Sequence, residues 1–207
     1  MYDLINQFAQ RVVDTIPPEH VTNYERLLQN VGQASTPDYQ KRYRRFWAMN
    51  AAQLSPAFYD TYFNTLVAAM SQPPTLNSVA HTLHAASARQ NGQKSLQFSF
   101  ATKLLHMTNQ HSPIYDSQVA AFYFLQEPST EVGLQQRING LVDFHGFLAQ
   151  EYARVLKGGH LVSAIEEFRH RLKPQRFTDE KIVDSLIWAF VALLRKGALP
   201  KRQIVYG

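Results

Sequence analysis

Leu96-Gln-Phe-Ser-Phe-Ala-Thr-Lys-Leu-Leu-His-Met107, followed after a short loop by Ser112-Pro-Ile-Tyr-Asp-Ser-Gln-Val-Ala-Ala-Phe122, carries the pattern on which the fold turns. In the first stretch Phe100, Lys103, Leu104 and Met107 recur at three- and four-residue spacing, which lays them along one side of a helix over about 96–108. In the second, Pro113 fixes the approach of the chain, and Asp116 stands where a helix over about 116–126 begins. Val119, Ala120, Phe122 and Tyr123 are the apolar positions of that second helix.

Working outward, the same periodicity predicts helices over about 2–15, 19–33, 37–53, 56–71 and 76–89 on the N-terminal side, and over about 130–156, 160–172 and 178–196 on the other. Thr36-Pro37 and Ser55-Pro56 each set a capping hydroxyl before a proline suited to the first helical position, and Thr178 starts the last helix in the same way. Alternating β-branched runs bounded by turn residues are absent from the pattern. The expected class is therefore all-α, a compact domain of about ten helices. Two lobes, about 1–91 and 92–207, with a cleft between them, fit the Asn91-Gly92 and Gly158-Gly159 joints.

The chain has 207 residues, enough to bury one core without metals or disulfides. It contains no cysteine, which removes disulfides, thiolate metal ligands and a cysteine nucleophile together, and which fits a reducing cytoplasm. The start, Met1 to Arg11, mixes Asp3 with polar residues and reads as an amphipathic helix rather than a signal segment. Ile182 to Leu194, the most apolar stretch, is broken by Asp184 and Ser185 and is too short to span a bilayer, so no membrane partner is expected. A net charge of +5 favours a polyanionic partner, because cations that neutralise phosphates release condensed counterions.

Two stretches bear on chemistry. In Tyr39-Gln-Lys-Arg-Tyr-Arg-Arg-Phe-Trp47, Tyr39, Tyr43, Phe46 and Trp47 form one aromatic face of a helix and leave Lys41, Arg42, Arg44 and Arg45 on its other sides. This reads either as a phosphate-gripping surface on an aromatic anchor or as an ordinary solvated basic face. In the second stretch Lys103 borders an apolar strip and is partly desolvated, and Asp116 has two open roles. It can cap its helix, accepting from orphan amides, or face a cleft where it orients water or steadies a developing cation. Phe122-Tyr-Phe124 reads as core packing before base stacking. His81 and His84 are a close pair, but no ligand set for a metal accompanies them, and no phosphate-binding glycine loop or serine-nucleophile elbow is present.

The order helix, loop, Pro113-Ile-Tyr-Asp-Ser-Gln-Val119, helix resembles the helix-hairpin-helix base-excision DNA glycosylase superfamily, in particular its 8-oxoguanine glycosylase branch, over about residues 90–126. Lys181-Ile-Val-Asp-Ser-Leu-Ile-Trp188 is similar to an element of that fold's closing helix and would bring Asp184 and Trp188 near the same core. The resemblance implies DNA as partner, no cofactor, and removal of a damaged or modified base after flipping. It implies Asp116 as the catalytic carboxylate, with Lys103 as a second-choice nucleophile or phosphate contact. The family hairpin with its paired glycines is replaced here by Asn91-Gly-Gln-Lys94, so Lys94 joins Lys41, Arg42, Arg44 and Arg45 as expected DNA contacts. The family's lysine aligns nearest Ser99, and Ser99, Phe98, His106 and Tyr115 are the expected walls of the base pocket. The alternative is a noncatalytic all-helical module for nucleic acid or protein, in which Asp116 is a cap and Lys103 a rim residue.

Overall fold

The computed structural model describes residues 1–86 and 94–199. Eleven α-helices occur among them, and no strand beyond single bridge residues at Leu54 and Lys94. They are α1 (Tyr2–Gln7), α2 (Ala9–Asp14), α3 (Pro18–Gln29), α4 (Pro37–Phe46), α5 (Pro56–Ser71), α6 (Leu76–Ala86), α7 (Phe98–Thr108), α8 (Ser117–Phe122), α9 (Leu134–Lys157), α10 (Val162–Leu172) and α11 (Asp179–Arg195). The all-α expectation holds. The Asn91-Gly92 turn and the last residues of the helix expected to reach 89 lie outside the described residues.

Where local chemistry marks a helix start, the structure uses it. Thr36, Ser55 and Thr178 accept hydrogen bonds from the amides of Tyr39, Phe58 and Lys181, with prolines at the first positions of α4 and α5. Each such cap contributes about 1 kcal/mol. The expected single helix over 2–15 is instead two, broken at Phe8, and tertiary contacts explain the break. Ile5 and the Val12-Val13 pair all enter the core, while the Asn6 side chain bridges the carbonyl of His160 and the amide of Ala164. The helix expected over 37–53 ends at Phe46. Ala48 and Gln53 then take left-handed backbone (φ 53° and 49°) on either side of a 3-10 turn, Met49–Ala52. That bend buries Met49 and turns Trp47 inward.

α11 is the central helix. Buried along nearly its whole length, it packs against α8, α2, α10, α9 and α1. A second group, α5, α6 and α7, packs together and joins the first through α6 and α9, and α3 pairs with α4. The first two helices therefore share one side with the last two, because α1 and α2 dock on α10 and α11. Among the described residues one apolar core cluster links the helices. Among the described residues no helix is long and apolar enough to cross a membrane.

Candidate active site

The start of α3, the end of α4, the middle of α7, the turn into α8 and the first half of α11 meet around a cavity of about 340 Å³. Its apolar wall comes from Ile16 and Pro17, from Phe46 and Trp47, and from Ile114 and Val119. Phe46 meets Trp47 edge-on at 4.7 Å and lies 4.6 Å from the His20 ring. Trp188, 38% exposed on an otherwise sunken helix, contributes a second indole. The volume falls at the small end of ligand pockets, roughly 300–1,000 Å³.

Four charged side chains line the same cavity: Lys103, Asp116, Lys181 and Asp184. Lys103 is 8% exposed, and its Nζ donates to Ser99 Oγ at 2.9 Å while lying 5.3 and 5.6 Å from the Phe100 and Trp47 rings. It forms no ion pair among the described residues. Burial pushes its pKa below that of an ordinary lysine, the carboxylates of Asp116 and Asp184 work against that shift, and Lys181 assists it. Lys181 is held differently, with its Nζ 2.6 Å from Asp184 Oδ2. Burial raises the Asp184 carboxyl above the usual range despite that ammonium, and Tyr152 donates to its other oxygen at 3.4 Å. Of the two lysines, Lys181 is thus committed to a carboxylate and Lys103 is not.

Asp116 occupies both positions left open by its sequence. Its Oδ1 accepts from the Gln118 amide at 2.8 Å as the cap of α8, and its Oδ2 carries no hydrogen bond among the described residues. The residue is half-buried and lines the cavity. Capping holds the carboxyl still without consuming its second oxygen.

Tyr115, His106, Phe98 and Ser99, the expected walls of a base pocket, do not line this cavity. Residues alternate in direction along the extended approach to α8, so Ile114 and Asp116 face the cavity while Tyr115 turns away to Phe98 and to the Glu127 carboxylate. Phe98 is core, and Ser99 lies one turn before Lys103, serving it as an acceptor. His106 sits behind the cavity. Its Nδ1 donates to the Ser112 carbonyl at 2.7 Å, leaving Nε2 to accept from the Tyr24 hydroxyl at 2.6 Å. This tautomer is assigned from the network.

Burial, with Lys181 adding to it, lowers the His106 pKa to about 3, so the folded protein keeps this ring neutral where an unfolded one takes a proton. Its contribution to stability is complete above the ordinary histidine value and is lost as the pH falls from there toward about 3. Each pH unit in that window costs about 1.4 kcal/mol for a single site. Urea unfolding of wild type and His106→Gln between pH 7 and 4.5 measures this. The variant is expected to lose one proton's worth of the slope of stability against pH, and equal slopes would contradict it.

The cations of α4 separate. Arg42 and Arg45 line a second, open groove of about 470 Å³ beside the cavity. Lys41 is exposed away from that groove, and Arg44 is half-buried with its guanidinium 4.7 Å over the Tyr59 ring and its Nε unpartnered. Lys94 is exposed and lines neither space. Sequence reasoning assigned neither Lys181 nor His20 to the site. Lys181 was legible only as the first residue of the Lys181–Trp188 stretch, and His20 as one of eight histidines. Comparison with known protein families, with curated proteins and with solved structures finds no match to this chain.

Proposed function

We propose that this protein is a DNA N-glycosylase that takes a damaged or modified base, flipped from the helix, into the cavity and cleaves its bond to the sugar. The observation that carries the reading is the convergence of Lys103 and Asp116 on one aromatic-walled cavity, although they lie on different elements. Two indoles and Phe46 supply faces on which a planar base stacks, and Trp188 is 38% exposed at this cavity. The unengaged oxygen of Asp116 steadies positive charge as the C1′–N bond breaks and its electron pair leaves on the base. Water then adds to C1′ and gives its proton to Asp116, while the departing base collects a proton from solvent. In the lyase variant the Lys103 amine adds instead, and burial favours the uncharged amine that this step needs.

The test is a panel of duplex oligonucleotides, each with a single base lesion, incubated with wild type and Lys103→Gln. Base release by wild type on at least one member, with borohydride trapping of a covalent complex that disappears in Lys103→Gln, is expected for a bifunctional enzyme. Release that survives this substitution, with no trapping in either protein, makes the enzyme monofunctional and leaves the chemistry to Asp116. No release from any member would leave the noncatalytic module, with Asp116 only a cap.

A further inference from the structure

The open groove beside the cavity shares three wall residues with it, Pro17, His20 and Phe46. The tilted His20–Phe46 pair is therefore a ridge between two compartments of different chemistry. On the cavity side the walls are aromatic and apolar around buried charges. On the groove side three arginines, Arg26 from α3 and Arg42 and Arg45 from α4, stand with the Asn23 amide against a single carboxylate, Glu19. Arg42 is paired with Asp38 at 2.6 Å on the same helix, but Arg26 and Arg45 form no ion pair among the described residues. Both are exposed. Unpaired guanidiniums from two helices facing one concavity repel each other, and an occupant carrying negative charge relieves that repulsion.

We infer that this groove is the phosphate track of the site: it holds the DNA backbone beside the nucleotide whose base occupies the cavity, with Arg26 and Arg45 as the gripping cations. The inference rests on the glycosylase reading for the identity of the occupant. The division of labour follows from chemistry. Guanidinium forks suit phosphate oxygens and carry no base information, whereas the aromatic compartment suits a planar base. The His20–Phe46 ridge lies where the sugar would cross from one compartment to the other. Arg26 belongs to this surface although it lies outside the basic run of α4, because α3 and α4 pack as a pair.

Fluorescence anisotropy with an unmodified labelled oligonucleotide, titrated at several salt concentrations, tests the groove without requiring any chemistry. Each lost phosphate contact lowers the slope of log K against log salt by about 0.7–0.9 and weakens binding roughly ten-fold near 0.1 M salt. Arg26→Ala/Arg45→Ala is therefore expected to bind about 100-fold more weakly, with a slope lower by roughly 1.4–1.8. Arg195→Ala/Lys196→Ala removes the same net charge about 20 Å along α11 from Lys181 and is expected to change binding less than three-fold. Equal losses in the two double variants, or wild type that does not bind, would overturn the assignment. The two readings fail separately. Loss of binding confined to the groove variant, in a protein that releases no base, keeps the groove and removes the glycosylase. Base release with unchanged affinity in Arg26→Ala/Arg45→Ala does the reverse.

Discussion

Asp116→Asn is expected to lower the single-turnover rate of base release by roughly 10²–10⁴-fold, the range lost with a positioned acid–base group or a charge-stabilising donor. The substitution is informative because it separates the two roles of this side chain. Asn caps helices about as well as Asp, so its side-chain oxygen can keep accepting from the Gln118 amide, and the stability of α8 is expected to change by less than about 0.5 kcal/mol. What disappears is the negative charge beside the cavity and the second oxygen that carries no hydrogen bond. Asp116→Ala removes the cap as well and is expected to add a stability loss of about 1 kcal/mol without a further loss of rate. Rates measured on a substrate identified by the lesion panel, alongside urea unfolding of both variants, give the comparison. A rate for Asp116→Asn within ten-fold of wild type, in a protein of unchanged stability, would reduce Asp116 to a cap.

How much of this was legible before folding depends on the reach of each signal. Helix periodicity and hydroxyl caps are local, and they located α5, α7 and α11 to within a few residues and α4 at its start alone. The break at Phe8 and the left-handed turn at Ala48 are set by partners more than a hundred residues away or by the burial of Met49, and no local propensity announces them. The site divides in the same way. Lys103 and Asp116 stand out because each lies on a stretch whose pattern fixes its environment. The aromatic face of α4 was visible too, but that Trp47 ends in the cavity wall while Tyr39 and Tyr43 are core follows from where α4 stops. Tyr115, next to Asp116 in sequence, turns to Phe98 and Glu127 because an extended segment sends neighbours to opposite sides. The basic run Lys41 to Arg45 divides for a related reason. Successive residues on a helix point about 100° apart, so four cations in five positions cannot share one groove.

The buried pair Lys181–Asp184 is expected to be the most sensitive point of the fold to single substitution, and the least sensitive to paired replacement. Lys181 is 4% exposed and Asp184 6%, and each leaves the other nearly dry if removed. Asp184→Ala strands an ammonium against the rings of Tyr24 and Trp47 and is expected to cost about 3–5 kcal/mol, read as a lower urea midpoint. Lys181→Met strands a carboxyl whose pKa burial already raises, and removing the ammonium that opposes this shift moves it further up. A group with a raised folded pKa favours the fold while protonated. Its contribution is complete below the unfolded value and is lost as the pH climbs through the folded one. Lys181→Met should therefore lose less stability at pH 5 than at pH 7, while Asp184→Ala should show no such relief. In the double variant Lys181→Met/Asp184→Leu no stranded charge remains, and most of the loss is expected to return. The same double variant reads the electrostatics of Lys103, on which Lys181 and Asp184 act in opposite directions. Lys181→Met alone should move the Lys103 pKa upward, and removing Asp184 as well should move it back down. Additive losses in the double variant would mean that the ion pair contributes nothing as a pair.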